Sequence, residues 1–234
     1  MKKISIIIPI YKEKKNIIEL TNRIRKNLKS KIYEIIFVDD NSNDGTKKIL
    51  QELKKKYKNF NFIVRKKKRD LTQSCFDGIE KSKYELILIM DGDLQHNPKY
   101  IPKLLNIYNS RNADIVIATR DLLYGKNPGL NYFRRLFSIA LIGLFSILIG
   151  SKSKDPMSGY FLFKKKIYNR NKKKYFGKGY KILADILYNS SKNLKIIDYN
   201  IEFGHRLKNK SKMSFKILII LLEFLFKTFV KRLI

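Results

Sequence analysis

Cysteine and histidine are scarce in this chain of 234 residues, and the scarcity excludes several kinds of chemistry. A single cysteine, Cys75, excludes an intrachain disulfide and is typical of a reducing compartment. His96 and His205 are the two histidines, and because no Cys/His cluster surrounds either, both are interpreted as structural or surface residues. No Ser-His-Asp or Cys-His arrangement follows from the spacing, which disfavours covalent hydrolase chemistry.

Glycine-rich phosphate loops are also missing where they would be expected. Neither Gly-x-Gly-x-x-Gly nor Gly-x-x-x-x-Gly-Lys-Thr follows the first predicted strand, which excludes the dinucleotide and P-loop modes of binding there. The short apolar run before Pro9 indicates a first strand rather than a signal peptide. If the chain binds a nucleotide, something other than a glycine loop must hold its phosphates.

Acidic residues are few relative to basic ones. The chain has 51 Lys and Arg against 20 Asp and Glu, a formal net charge of +31, which predicts attraction to nucleic acid, anionic lipid or phosphorylated substrates. Lys, Asn, Ile, Tyr and Phe are abundant and all have A/T-rich codons, so solvated surface lysines are a second explanation for part of the charge. A hydrophobic content of 44% is enough for one large α/β domain.

Strand and helix patterns alternate along most of the chain. Strands are predicted at residues 4–8, 32–38, 60–64, 86–90, 114–118, 158–163 and 195–203, and helices at 14–28, 47–57, 73–81, 98–110 and 180–190. This alternation predicts right-handed crossovers and a mostly parallel sheet, an architecture typical of nucleotide-binding proteins.

Two segments of the second half are more apolar than surface helices usually are. Residues 130–150 are predicted to form an apolar helix that is short for a transmembrane span. In the segment 217–234 and just before it, polar residues share one stripe of a helix: Lys216, Glu223, Lys227 and Lys231. This pattern favours a helix that lies in a membrane interface, and a helix packed on the protein core is the alternative.

Carboxylates gather at the ends of two predicted strands. Asp39 and Asp40 end the second strand, and Asp91 and Asp93 follow the fourth, at the side of an open α/β sheet where ligands bind. Asp-x-Asp offers two hard oxygen ligands suited to Mg²⁺ or Mn²⁺, which would bridge to a diphosphate rather than be held by protein alone. The alternative is a strand-to-helix turn in which Asp93 caps the helix that Pro98 opens.

Three sequence motifs resemble those of the inverting glycosyltransferases of family 2, and among these the polyprenyl-phosphate (dolichyl-phosphate) mannosyl- and glucosyltransferases. They are PIYKE at residues 9–13, VDDNSNDGT at 38–46 and MDGDLQHNP at 90–98. The resemblance covers nearly the whole chain. It implies a three-layer α/β fold of the nucleotide-diphospho-sugar transferase (GT-A-like) type.

The resemblance also implies which residues bind the donor, a nucleoside-diphosphate sugar of the GDP-mannose or UDP-glucose type. Nucleotide-sugar binding is carried over to Pro9, Tyr11, Glu13, Asp40 (near the base), Asp91, Gly92, Arg206 and Lys212. Mg²⁺ or Mn²⁺ is carried over to Asp91, Asp93 and Gln95. The implied catalytic residues are Asp91, Asp93 and Arg206. Residues 203–213 resemble the family's flexible acceptor loop, in which Arg206 and Lys212 would close on the diphosphate; a basic turn is the alternative.

The acceptor phosphate is carried over to Arg120, Arg134 and Ser138. Spacing supports this independently, because Arg134 and Ser138 are one helical turn apart at the start of the apolar helix. An ordinary arginine at a membrane edge and a tolerated helix serine are the alternative. Residues 155–161 resemble the family's Asp-Pro-x-Ser-Gly-Phe segment.

The chain departs from the family in two places. Asp70-Leu71-Thr72 replaces a glycine-rich loop that lets the backbone approach the sugar nucleotide closely, so the identity of the donor does not carry over. One apolar tail is present where longer relatives add two spanning helices. Asp185 stands where relatives often have a glutamate and is expected to be structural.

We therefore expect a metal-dependent enzyme that transfers mannose or glucose to a polyprenyl (undecaprenyl or dolichyl) phosphate at the cytoplasmic face of the cell membrane. A catalytic domain is predicted at residues 1–213, with a nucleotide half (1–120) and an acceptor half (121–213), before an apolar helix at 214–234. One alternative is a family 2 enzyme that acts on a glycan in surface polysaccharide synthesis. The other is a non-catalytic basic module, although the aromatic residues form no stacking platform and nucleic acid is not expected as a partner.

Overall fold

The computed structural model describes residues 3–29, 32–120, 153–179, 182–191 and 193–202, and the single positions Gly143, Gly204, Glu223 and Lys227. The rest of the two predicted apolar helices lies outside the described residues, as do the predicted site residues Arg134, Ser138, Arg206 and Lys212. Within the ranges that are described, no helix is long and apolar enough to cross a membrane.

Seven strands and six helices make up the described part of the chain. The strands are β1 (Ile4–Ile10), β2 (Tyr33–Asp39), β3 (Phe60–Val64), β4 (Leu86–Ile89), β5 (Ile115–Arg120), β6 (Phe161–Lys164) and β7 (Ile196–Ile201). The helices are α1 (Ile17–Asn27), α2 (Thr46–Lys56), α3 (Leu71–Lys81), α4 (Ile101–Ser110), α5 (Lys165–Asn171) and α6 (Ile182–Asn189). A 3₁₀ turn, Pro98–Tyr100, precedes α4.

The strands form one sheet in the order β3-β2-β1-β4-β6-β5-β7. β6 runs antiparallel to its neighbours β4 and β5, and the other pairs are parallel, so the predicted mostly parallel sheet is confirmed. The carboxyl ends of six strands and the start of β6 therefore share one edge of the sheet. We call this edge the carboxyl edge.

Helices cover both faces of the sheet, which explains the unbroken apolar runs of the central strands. All seven residues of β1 are buried, as expected for a strand packed on both sides. One apolar cluster joins the sheet to α1, α2 and α4, and a second joins the opposite face to α3, α5 and α6. The result is three layers, helix-sheet-helix, as the sequence resemblance implies.

Helix α5 was not predicted from the sequence. It follows β6 without a break, and its sequence, KKIYNRN, is short and polar. It buries Ile167 and Tyr168 against α6 and the sheet. β6 begins later than predicted because Ser158 N donates to the Asp155 carbonyl in a turn just before the strand.

Candidate active site

Backbone geometry at the carboxyl edge is unusual at three strand ends. Lys12, Asn41 and Leu94 follow β1, β2 and β4 with φ of 55°, 62° and 68°, the left-handed region that non-glycine residues seldom adopt. Among the described residues, Asn112 is the one other non-glycine case. Such conformations cost on the order of 1–3 kcal/mol each and concentrate at functional sites, which makes this edge a candidate functional site.

The carboxylate at the end of β2 is locked by the protein itself. Asp40 is 5% exposed; its Oδ1 accepts a hydrogen bond from Arg65 Nη1, and its Oδ2 accepts one from Asp70 N at 2.7 Å. Burial raises the pKa of Asp40, and the Arg65 guanidinium opposes that rise. Arg65 also donates to Asp77 on α3 at 2.8 Å. Asp40, expected near the base, is thus held mainly by protein groups.

Asp70, which stands where the resemblance leads one to expect a glycine-rich loop, has a structural role in this chain. Its Oδ1 accepts from Gln73 N at 3.0 Å and caps α3, while its Oδ2 accepts from Gly179 N at 2.7 Å. The carboxylate thereby joins the start of α3 to the turn before α6, in which Gly179 has a φ of 87°. The same turn is held by Asp185, which accepts from Gly177 N at 2.9 Å and is structural, as the sequence indicates.

The predicted donor residues at the end of β1 differ in how accessible they are. Pro9 lies inside β1, and Glu13 is buried and accepts from Asn16 Nδ2 at 2.7 Å. Tyr11 is partly exposed, with the Arg69 guanidinium 4.5 Å from its ring centroid, within cation–π range. Of the predicted donor residues after β1, Tyr11 is the one whose side chain the structure presents at the surface of the edge.

The Asp-x-Asp segment after β4 is shaped by buried neighbours. Asp91 N donates to His96 Nδ1 at 2.9 Å, and the Asp91 side chain is 39% exposed. His96 is buried and stacks on Tyr160 with ring centroids 5.1 Å apart, which is the structural role predicted for it. Asp93 is buried, and its Oδ1 accepts from Gln95 N at 3.2 Å. The turn therefore brings the Asp91 carboxylate to the surface.

Two glycines let this turn pack closely. A Cβ on Gly92 would lie 2.4 Å from Ile10 Cγ2, so no larger residue fits without a shift. A Cβ on Gly159 would lie 3.0 Å from Asp91 Oδ2.

Gln95 is hydrogen-bonded to the segment after β7, since Gly204 N donates to its carbonyl at 3.1 Å and its Nε2 donates to the Gly204 carbonyl at 3.2 Å.

The oxygen atoms of this segment fit a divalent ion that a diphosphate would share. No group of three or more His, Cys, Asp or Glu side chains within the described ranges could hold a metal ion alone. Asp91 and Asp93 supply two hard carboxylates, and Mg²⁺ is commonly held by one or two carboxylates together with substrate phosphates. The set therefore fits the shared mode of binding that the sequence predicts, with Gln95 beside it.

Arg120 at the end of β5 stands at the same edge. Its Nε and Nη2 donate to the two carboxylate oxygens of Asp155, at 2.8 and 2.9 Å, and Asp155 is fully buried. Burial lowers the pKa of Arg120, but the Asp155 hydrogen bonds and charge, with the Asp91 charge, outweigh burial and raise it. The predicted acceptor residue and the predicted metal ligand Asp91 thus lie at the same edge of the sheet. Its role in binding an acceptor stays a prediction.

Sequence reasoning missed Arg65 and assigned no role to Asp155. Arg65 begins a basic run, residues 65–69, and nothing in that run distinguishes it from its exposed neighbours. Its position directly after a strand is a signal that could have been used. Asp155 lies in a segment that resembles a family motif, but its contact with Arg120 spans 35 positions and follows from the fold.

Comparison with known families gives a match to most of the chain. The profile of the family described as "Glycosyl transferase family 2" matches residues 5–172. A protein of Pyrococcus furiosus named dolichol-phosphate mannosyltransferase is 34% identical over 92% of this chain and 60% of its own length. Proteins of that name from Saccharomyces cerevisiae and Mycosarcoma maydis are 33% and 30% identical over 92% of this chain, and over 82% and 74% of their own lengths. The chain thus spans 60% of the Pyrococcus protein.

Solved structures share the fold. Glucosyl-3-phosphoglycerate synthase from Mycobacterium tuberculosis, in complex with Mn²⁺, UDP and glucosyl-3-phosphoglycerate, superposes with a TM-score of 0.72. It is 16% identical, and the match covers 99% of this chain and 80% of that one. At this identity the likeness concerns the architecture, which is the GT-A-like arrangement expected from the sequence.

Proposed function

The chain belongs to glycosyl transferase family 2, and from that premise we propose that it is an inverting enzyme that transfers a hexose from a nucleoside-diphosphate sugar to a polyprenyl phosphate. The observation that carries the proposal is that an accessible carboxylate, Asp91, follows β4 and a cation, Arg120, ends β5 at the same edge of the sheet. A donor diphosphate with its metal needs the first, and an acceptor phosphate needs the second. Mannose is favoured over glucose because the relatives are named mannosyltransferases.

On the donor side, Asp91 and Asp93 would hold Mg²⁺ or Mn²⁺, with Gln95 completing the set. The bound ion would neutralise the charge that develops on the leaving nucleoside diphosphate. The left-handed backbone at Leu94 and the close packing of Gly92 on Ile10 keep the two carboxylates on one short turn. The structural relative that binds Mn²⁺ together with UDP supports a divalent ion here.

On the acceptor side, Arg120 would orient the phosphate for attack on the anomeric carbon from the face opposite the diphosphate. A phosphate monoester has a second pKa of about 6 and is largely ionised at neutral pH, so its oxygen needs orientation more than a general base. An arginine such as Arg120 can supply this orientation without acting as a base. Arg134, Ser138, Arg206 and Lys212 are proposed to complete the acceptor and diphosphate contacts.

The site of action proposed for this chemistry is the cytoplasmic face of the cell membrane. The net charge of +31 supports attraction to anionic lipid, and the apolar segments at 130–150 and 214–234 support contact with its hydrocarbon layer. The division into a nucleotide half (1–120), an acceptor half (121–213) and an apolar tail belongs to the same proposal.

The proposal is tested by transfer of radiolabelled mannose or glucose from its nucleotide into the organic phase, with polyprenyl phosphate and Mg²⁺ or Mn²⁺. Wild-type protein should transfer label, and Asp91→Asn should not. Asp114→Asn is a matched control, because Asp114 pairs with Lys164 Nζ at 2.7 Å at the opposite end of β5. Transfer to a glycan but not to a polyprenyl phosphate would replace the lipid acceptor with the glycan alternative.

A further inference from the structure

Gly204 is hydrogen-bonded to Gln95 through both the backbone and the side chain of the glutamine. Gly204 N donates to the Gln95 carbonyl at 3.1 Å, and Gln95 Nε2 donates to the Gly204 carbonyl at 3.2 Å. The two residues are 109 positions apart in the sequence. Because hydrogen bonds are directional, two of them fix both the distance and the orientation of the groups they join. The pairing therefore joins the segment after β7 to the turn that carries the Asp-x-Asp carboxylates.

This contact leaves no room for a side chain at position 204 without a shift of the backbone. A Cβ on Gly204 would lie 3.2 Å from the Gln95 carbonyl oxygen, and 3.5 Å from Gln95 Cα and from the Leu94 carbonyl oxygen. All three are backbone atoms, which cannot rotate away as the end of a flexible side chain can. A Cβ at this position would therefore push the two segments apart.

Gln95 also holds one of the two carboxylates of the turn. Gln95 N donates to Asp93 Oδ1 at 3.2 Å, and Asp93 is buried. Because the N–H and the carbonyl belong to one residue, a displacement of the Gln95 backbone from Gly204 also moves the donor of Asp93. The hydrogen bonds thus run unbroken from Gly204 through Gln95 to Asp93.

A second attachment of the same segment is weaker. Glu202 accepts from Lys99 Nζ at 3.2 Å and from Tyr100 Oη at 3.3 Å. The Glu202 side chain is 87% exposed, and exposed ion pairs contribute little to stability because water screens them. The partly buried pairing of Gly204 with Gln95 is therefore the attachment on which the position of the turn should depend.

We propose that Gly204 is a positioning residue for the metal turn. By pairing with Gln95 it keeps Gln95 N on Asp93, and so fixes the Asp93 carboxylate where the donor's metal needs it. The inference rests on the proposed function for the identity of the metal ligands. It adds to the donor site a residue from beyond β7 that supports a ligand and is not a ligand itself.

The test compares Gly204→Ala with Glu202→Ala in the full chain. The readout is the Mn²⁺ concentration that raises the melting temperature half-maximally with GDP or UDP present. Gly204→Ala should raise this concentration roughly tenfold, as disturbing the groups behind metal ligands commonly does. Glu202→Ala, the matched control in the same segment, removes only exposed contacts and should leave it within about twofold of the wild type. An unchanged midpoint in Gly204→Ala, or an equal rise in both variants, would overturn the inference.

A measurement without metal separates the turn from contacts to the nucleotide. With EDTA present, GDP or UDP should change the melting temperatures of Gly204→Ala and of the wild type equally, because Asp93 is proposed to act through the metal. An equal loss of binding with and without Mn²⁺ would mean that the alanine disturbs nucleotide binding or the fold, and would contradict the inference.

Gln95→Glu decides the matter if Gly204→Ala does not fold. It keeps the length of the side chain but replaces the Nε2 donor with an acceptor that faces the Gly204 carbonyl. The inference predicts weaker Mn²⁺ binding, because the two acceptors repel and the Gln95 backbone moves from Asp93. A carboxylate acting only as an added metal ligand would strengthen binding, so unchanged or tighter binding contradicts the inference.

The wild-type protein shows which of the two proposals fails. If Mn²⁺ does not raise its melting temperature with either nucleotide, the metal site of the proposed function is wrong, and the inference falls with it. If the wild type responds to Mn²⁺ and Gly204→Ala responds equally, the inference alone is wrong and the proposed function stands.

Discussion

The two halves of the carboxyl edge use acidic residues in opposite ways. At the ends of β1 and β2, Glu13 and Asp40 are buried and bound by the protein's own donors, Asn16 and Arg65. At the end of β4, the side chain of Asp91 is 39% exposed. Acidic residues that follow buried parallel strands within a few positions therefore fix loops in one half and leave a carboxylate at the surface in the other.

The largest expected effect comes from removing Arg65, the cation that pairs with the buried Asp40 at the end of β2. Arg65→Met leaves the Asp40 carboxylate without its buried partner, since both side chains are almost fully buried. The free energy of unfolding should fall by about 3–5 kcal/mol at pH 7, the usual result of breaking a buried pair from one side. Urea denaturation monitored by circular dichroism measures this, and a loss no larger than that of Asp114→Asn would contradict the pairing.

The pH dependence of that loss sharpens the same comparison. Burial raises the pKa of Asp40 and Arg65 opposes it, so the pKa rises further in Arg65→Met. A raised folded-state pKa favours the folded state below the unfolded value, about 3.9, and this advantage is lost as pH rises through the folded pKa. The destabilisation by Arg65→Met should therefore shrink as the pH falls from 7 towards 4. A constant difference across this range would show that the lost charge is not the cause.

The accessible half should respond in activity rather than stability. Asp91→Asn keeps the shape of a partly exposed side chain, so the melting temperature should change little. Transfer should fall roughly 10²–10³-fold, as when one group that stabilises the developing charge is removed. Initial rates with purified protein measure this. If Asp91→Asn unfolded instead, Asp91 would be a structural carboxylate like Glu13 and Asp40.

A smaller effect is expected at the residue that replaces the glycine-rich loop. Asp70→Ala removes the cap of α3 and the bond to Gly179 N, and should cost about 1–2 kcal/mol of stability. Asp70→Asn retains an acceptor for the cap and should cost less. If Asp70→Ala lowered transfer without lowering stability, Asp70 would belong to the ligand-binding half.

The fold follows from the sequence more completely than the site does. Buried strands such as β1 and β2 are recognisable as unbroken apolar runs, and the parallel sheet follows from their alternation with helices. The pairing of Asp40 with Arg65 joins residues 25 positions apart and depends on the β2–β3 register, in which Asp39 lies opposite Val64. The local sequence around Asp40 does not show this contact. Asp40 and Asp91 therefore look alike in the sequence, each as an aspartate that follows a buried apolar strand.

The sequence motifs predict which edge of the sheet holds the candidate site, whereas only the side-chain contacts show how each residue at that edge is held. Asp91, Asp93, Gln95 and Arg120 all lie at the carboxyl edge, and their roles in binding stay predictions. Asp155 lies in a segment that resembles a family motif, but nothing in the sequence pairs it with Arg120. Its contact with Arg120 exists because β6 is inserted antiparallel beside β5, an order that the alternation of strands and helices does not predict.

The most direct test of the two-halves account is the rate of sugar transfer per folded molecule, measured side by side for Asp91→Asn and Arg65→Met at a temperature where both are folded. The account predicts that Asp91→Asn loses nearly all transfer with unchanged stability, while Arg65→Met is less stable but retains a kcat near that of the wild type. Equal loss of transfer in the two variants, or full transfer by Asp91→Asn, would contradict it.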